Sequence, residues 1–348
     1  VNITGGADTT LTVSANELDV VAVAIDASGM TGTADFTLAT AVLISGSSVT
    51  GTLNGDTIAI STTTGTTYDS GAGNDAFTGA IADLVATGAN DNKINGGAGT
   101  DSITLSDTTG VTLTDNHFTW MSGMETLALT ATGAGDVSIT AGSAFNSAFS
   151  DGLTLTTGAI ANQQGVTFSA GLATMDMTIT IEADNAVGGQ ANDDFLITTG
   201  SGDDTVTFEG AAYEGHATVA GSIVISTGAG ADTISVDVDT LLASTTRSVT
   251  ITGGTGADAI TKTAGSTNAA DAEATFAFAI AEGDSTVAAR DVITGFDTAN
   301  TYFSDVLDFT GTAAVATAAA SNDSGTILSH QIANGIIRLM MLPHLGQR

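Results

Sequence analysis

Short alternations of apolar and polar residues, separated by clusters of Gly, Ser, Thr and Asp, run along most of the chain. Asp35-Phe36-Thr37-Leu38 and Val49-Thr50-Gly51-Thr52-Leu53 show the pattern early. Val111-Thr112-Leu113, Leu127-Ala128-Leu129, Val137-Ser138-Ile139, Leu153-Thr154-Leu155 and Met177-Thr178-Ile179-Thr180-Ile181 continue it. Residues two apart share one face of a strand, so this period predicts β-strands rather than helices. One stretch is ambiguous. Glu17 to Gly32 spaces Leu18, Val21 and Ile25 as a short helix would, but Val20, Val21 and Val23 favour β.

A longer period overlies the first. Gly96-Gly97-Ala98-Gly99-Thr100-Asp101-Ser102-Ile103 and Gly253-Gly254-Thr255-Gly256-Ala257-Asp258-Ala259-Ile260 both fit G-G-x-G-x-D-x-U, where U is a large apolar residue. Three more copies lack only the first glycine: Ser70 to Phe77, Thr199 to Val206 and Thr227 to Ile234. A looser copy, Gly188 to Phe195, has Ala191 in place of a glycine, and Gly5-Gly6-Ala7-Asp8 is a weak relative. Frames starting at Thr78, Thr87 and Gly96 advance in steps of nine and bring Val85, Ile94 and Ile103 into register. Asp75 to Asp101 and Asp232 to Asp258 are 26 residues apart, and Asp204 to Asp232 is 28. Such spacings are close to three nonapeptides, or to one larger coil with two or three strands per turn.

The nonapeptide resembles the calcium repeat of the RTX (repeats-in-toxin) family. The resemblance implies an all-β fold, an elongated right-handed parallel β-solenoid whose glycine-aspartate turns bind Ca2+. Glycine admits the left-handed backbone and close approach that such a turn needs. Calcium takes six to eight oxygens, which carbonyls and carboxylates of successive turns would supply. The expected ligand-bearing turns are Gly71, Gly73 and Asp75; Gly97, Gly99 and Asp101; Gly200, Gly202 and Asp204; Gly228, Gly230 and Asp232; and Gly254, Gly256 and Asp258. Asp83, Asp193, Asp291 and Asp308 are further expected ligands. Segments 66–104 and 188–265 hold the repeats, flanked by an N-terminal β segment 1–65, a β-rich segment 105–187 without clear repeat, and a C-terminal flank 266–348. Arg290 to Asp297 and Asp305 to Phe309 resemble the flank that closes many RTX solenoids, which implies type I secretion. Met124 to Leu129 and Ile25 to Gly29 resemble phrases of bacterial surface-layer (S-layer) proteins.

Charge sharpens this picture. Asp and Glu number 38 against six Lys and Arg, a formal charge of -32, yet 42% of the residues are hydrophobic. That excludes a disordered acidic chain, and the imbalance calls for counter-cations. It also excludes nucleic acid as a partner, because phosphates require Lys and Arg. There is no cysteine, hence no disulfide framework or thiolate metal site. No apolar run is long enough to span a membrane. No leader-like pattern follows Val1, so an export signal is expected to have been removed or to lie at the other end.

Catalytic signals are missing. His117, His216, His330 and His344 fall in no metal-hydrolase pattern, and no nucleophile elbow occurs. Asp193-Asp194 and Asp203-Asp204 are neighbours on a strand and so face opposite sides. Trp120 and the phenylalanines read as core. The expectation is a non-enzymatic, extracellular calcium-binding protein at the bacterial cell surface, assembling as a homopolymer into a layer or filament, with cell-surface polysaccharide as a further partner. The alternatives are a calcium-dependent adhesin and the C-terminal part of a larger secreted enzyme. The segment from Arg338 to Arg348, with the only proline, departs from the pattern.

Overall fold

The computed structural model describes residues 1–13, 21–40, 42–63, 65–84, 91–108, 110–131, 135–157, 163–182, 194–209, 222–237, 248–263, 275–279, 291–294, 305–308, 327–328 and 340–341. The chain divides into two compact units, Val1–Gly133 with Ile139–Ile160, and Ala134–Ser138 with Ala161–Arg348. Each is a parallel β-solenoid.

In the first unit, one sheet runs Asn2–Gly5, Ala24–Met30, Ser48–Thr50, Thr67–Asp69, Lys93–Asn95 and Met121–Ser122. The other runs Thr9–Thr12, Phe36–Thr40, Thr57–Ala59, Ala76–Ala80, Ser102–Asp107, Thr126–Ala131 and Leu153–Thr156. Through Ser102–Asp107 successive strands alternate between these sheets, so a full coil takes two strands and the 26-residue spacing from Asp75 to Asp101 is one coil; Val111–Leu113, in neither sheet, adds a third strand to the coil that follows. The nine-residue step moves from one sheet to the other: Ile94 and Ile103 both enter the core, but from opposite sides. Val85 lies outside the described residues. Ala24–Met30 is a strand paired with Ser48–Thr50, which settles the ambiguous segment there as β.

The apolar position of the repeat builds the core. Leu38, Ile58, Phe77, Ile103, Leu127 and Leu155 are stacked in register, and all are fully buried. The facing column is Ile25, Val49, Tyr68, Ile94 and Met121. Tyr68 and Phe77 meet edge to face across the core at 6.4 Å. Burying one such side chain contributes about 1.5–3 kcal/mol, and parallel pairing repeats that gain at every coil. Leu127 and Leu155 continue the column, so Thr126–Ala131 and Leu153–Thr156 carry on the ladder although their sequence lacks the repeat. A short helix, Ser143–Ala148, starts where Asp115 accepts the amides of Ala144 and Phe145 at 3.2 and 2.9 Å. Phe145 of this helix packs against Phe118 and Phe149.

The second unit repeats the plan. Gln163–Ser169, Phe195–Thr198, Ser222–Ser226, Ser248–Thr252, Thr275–Ala279 and Asp305–Asp308 form one sheet. Met177–Glu182, Thr205–Glu209, Thr233–Asp237, Ala259–Thr263 and Val292–Thr294 form the other, with Ile179, Val206, Ile234, Ile260 and Ile293 as its buried column. Among the described residues the pairing turns antiparallel only at Ile327–Leu328 and Met340–Met341. Trp120 corrects an expectation. It is 46% exposed, with the Lys93 ammonium 5.0 Å from its ring, because it leaves a short turn on the outer side of Lys93–Asn95.

Candidate metal sites

All described glycine-aspartate turns connect the first sheet of their unit to the second, so they stack in one column per unit. Closeness of approach dictates the glycines. A Cβ at Gly97 would overlap the Gly71 carbonyl oxygen, one at Gly99 that of Gly73, and one at Gly254 that of Gly228. Most of these glycines also adopt left-handed backbone: φ is +102° at Gly71, +94° at Gly97, +91° at Gly228 and +97° at Gly254. Gly200 and Gly202 do not; they are required by the carbonyls of Ala173 and Met175 beneath them. Parallel hydrogen bonds tie the turns together, as in Ala98 N–H to Gly71 O at 3.1 Å and Thr255 N–H to Gly228 O at 2.8 Å.

The first position of the repeat has two forms with one purpose. Where it is glycine, it leaves room for the turn's own carboxylate: a Cβ on Gly96 would stand 2.7 Å from Asp101 Oδ2. Where it is Ser70, Thr199 or Thr227, the buried hydroxyl donates to the first-position carbonyl one coil later, at Gly96 (2.6 Å), Thr227 (2.8 Å) and Gly253 (2.8 Å). That donation uses the hydroxyl's one proton. The adjacent carboxylate therefore feels only its dipole.

The aspartates form ladders. In the first unit, Asp75 Oδ1 accepts the Asp56 amide (2.7 Å), Asp101 Oδ1 the Asp75 amide (2.8 Å), and Glu125 Oε2 the Asp101 amide (2.7 Å). In the second, Asp204, Asp232, Asp258 and Asp291 accept the amides of Met177, Asp204, Asp232 and Asp258 at 2.8, 2.8, 3.0 and 3.2 Å. One oxygen of each carboxylate thus caps backbone. In four of them the second oxygen is left over: Oδ2 of Asp75, Asp101, Asp204 and Asp232 is buried and accepts no hydrogen bond among the described residues. A buried, unsatisfied carboxylate oxygen is costly. Burial pushes Asp75 and Asp204 up to about 6, with the neighbouring acids Asp101 and Asp56, or Asp232 and Asp176, adding to the rise against the nearby hydroxyls of Ser70 and Thr199 and the capped amides of Asp56 and Met177, which oppose it. Burial likewise raises Asp101 and Asp232. Each feature fits a divalent cation, whose ligand shell would take those oxygens and lower the repulsion.

A second line of side chains runs alongside at the fifth turn position. Asp203 donates its amide to Asp176 (2.8 Å), Ala231 to Asp203 (2.7 Å), and Thr100 to Asn74 (3.0 Å). Among the described residues no three His, Asp or Glu side chains converge as a cage. A cation here would rely on turn carbonyls for most of its oxygens.

The other expected ligands fall in different places. Asp83 ends the short helix Ile81–Asp83 on the far side of the first unit, where it accepts the Ala80 amide at 2.8 Å. Asp308 ends a strand of the sheet opposite the ladder. Asp193 lies outside the described residues, as do His216, His330 and His344. His117 sits in the short 3₁₀ helix Asp115–Phe118 and accepts the Thr114 amide at 3.0 Å. The ladder also includes Asp56 and Glu125, which the nonapeptide pattern does not pick out. No family model, curated protein or solved structure matches the chain.

Proposed function

We propose that this chain is an extracellular calcium-binding structural protein whose two solenoid units close around cations held in their glycine turns. The observation that carries the reading is the set of four buried carboxylate oxygens, on Asp75, Asp101, Asp204 and Asp232, that accept no hydrogen bond. Each would supply one ligand oxygen, with the carbonyls of Gly71, Gly73, Gly97, Gly99, Gly200, Gly202, Gly228 and Gly230 nearby in the same turns. Asp258, Asp291, Gly254 and Gly256 extend the second column.

Calcium-poor and calcium-rich surroundings would then favour different states. Where calcium is scarce, a chain of charge -32 repels itself and its ladders remain unfavourable. Outside the cell, millimolar calcium exceeds the roughly 10⁻⁴ to 10⁻³ M affinities of extracellular modules. The turns close and the loss of net charge lets copies approach, which supports assembly into a surface layer or filament after type I export. The test is a calcium titration of chelated protein, following far-UV circular dichroism and light scattering together. Growth of β-signal with particle size is the expected result. Growth of β-signal in a lasting monomer would remove the assembly half of the reading, and no change in either would remove all of it.

A further inference from the structure

One rung of the first ladder is built differently from the others. Gly51-Thr52-Leu53-Asn54-Gly55-Asp56-Thr57-Ile58 occupies the eight turn positions, with Thr52 and Asn54 standing where later copies have glycine. The register is secure: the Ala72 amide donates to Thr52 O as the Ala98 amide donates to Gly71 O. Asp56 Oδ1 caps the Phe36 amide at 2.8 Å, the same task that Asp204 performs for Met177. Its second oxygen is not left over. Asp56 Oδ2 accepts the Thr52 amide at 2.6 Å, and Oδ1 also accepts the Thr52 hydroxyl at 2.9 Å.

Asn54 deals with the carbonyls. Its side-chain amide donates to Gly32 O at 3.3 Å and to Ala34 O at 3.1 Å, the second- and fourth-position carbonyls of the preceding turn. Between glycine turns, a bridging cation would draw on carbonyls of those positions. A carboxamide has two N–H donors, so one neutral side chain serves both oxygens. Burial raises the Asp56 carboxyl as it does the others, but both of its oxygens are hydrogen-bonded.

We propose that Thr52–Asp56 is a cation-free rung, in which Thr52 and Asn54 do what calcium does in the glycine turns, and that it holds its part of the first unit folded before calcium arrives. The proposal rests on the calcium reading of the other rungs. It assigns the glycines at positions two and four a further role. Besides permitting close stacking, they withhold the side chains that would otherwise satisfy the carboxylate and the carbonyls.

Isothermal titration calorimetry with calcium chloride on the full chain and on Asp56→Asn and Asp75→Asn tests it. The expected result is that Asp75→Asn binds at least one calcium ion fewer, while Asp56→Asn binds as many as the parent. Equal losses in both variants, with the parent binding calcium, would overturn the difference between the rungs and leave the calcium reading standing. A parent chain that binds no calcium would overturn both. Because Asp56→Asn places an N–H₂ against the Thr52 amide and risks misfolding, hydrogen exchange on the unaltered chain gives a second readout. In chelator, segment 51–58 should already be protected, while 70–77 and 96–103 gain protection of about tenfold or more only with calcium. Equal gains in all three segments would refute the proposal.

Discussion

The two acidic ladders begin with the same bond and diverge at the next atom. Asp56 in the first unit and Asp204 in the second each cap the amide of an apolar residue at 2.8 Å, and both are buried to 1% exposure. Thr52, four residues before Asp56, then supplies an amide and a hydroxyl to the same carboxylate. Gly200, four residues before Asp204, supplies neither among the described residues, and Asp204 Oδ2 is left without a hydrogen bond. The lesson is that an aspartate at this position is first a backbone cap. Whether it also has an oxygen to offer a cation depends on a residue four places upstream.

Several measurements would break or sharpen that contrast. The largest effect is expected from Gly254→Ala in the second unit. Position two holds Thr52 without difficulty, but at Gly254 φ is +97° and the Gly228 carbonyl blocks any Cβ. A left-handed alanine costs about 1–2 kcal/mol and the overlap about as much again, so urea unfolding of the calcium-loaded protein should show a loss of about 3 kcal/mol. A loss below about 1 kcal/mol would mean that the turns are not closely stacked.

Next come the carboxylates themselves, where the two units should respond with opposite signs. In chelator, Asp204→Ala leaves the Met177 amide bare and costs about 1–3 kcal/mol. Asp204→Asn keeps that cap and removes a buried charge, so it should stabilise the cation-free protein. Asp56→Asn should destabilise it, since the new N–H₂ opposes the Thr52 amide. Matching signs for the two asparagine variants would erase the distinction.

The pH response is smaller and follows from the same atoms. The Asp75 and Asp204 carboxyls are raised from 3.8 to about 6 by burial. Between those values the folded chain keeps protons that the unfolded chain has released. Stability without calcium is therefore greatest below about pH 4 and declines as pH rises through about 6. The unfolding midpoint in chelator should fall across this window and flatten above it. With calcium the fall should shrink, and a fall of the same size would speak against cation binding at these groups. The smallest effect is expected for Thr199→Val, which removes the 2.8 Å hydroxyl link to the Thr227 carbonyl. It should cost about 1 kcal/mol in the second unit and leave the first unit's exchange unaltered.

Much of the fold was readable from the chain because the repeat does two jobs in one phrase. In Gly96 to Ile103, the glycines state where the turns stack and Ile103 states which residue enters the core. Asp56 and Glu125 escaped that pattern because it is anchored on two glycines and an aspartate: Asp56 follows Thr52 and Asn54, while Glu125 is not an aspartate and follows Met121 and Gly123. The signal that survives is an acid two places before a buried apolar residue: Asp56 before Ile58, and Glu125 before Leu127. The backbone-capping role of the aspartates was not readable, because it depends on an amide about 19 to 33 residues away in sequence but one coil away in space. Nor was the position of Asp83, whose nonapeptide-like frame folds into a helical turn that buries Ile81 and Leu84.

The most direct test of the central claim is calcium equilibrium dialysis of the parent chain and of a variant with Asp75, Asp101, Asp204 and Asp232 all changed to Asn. Asparagine preserves the oxygen that caps the backbone and replaces the one left over. The account predicts that the parent binds several calcium ions, and that the variant loses most of them while keeping its β-signal in chelator. Undiminished calcium binding by the folded variant would contradict it, and would mean that these buried oxygens serve the ladder and nothing else.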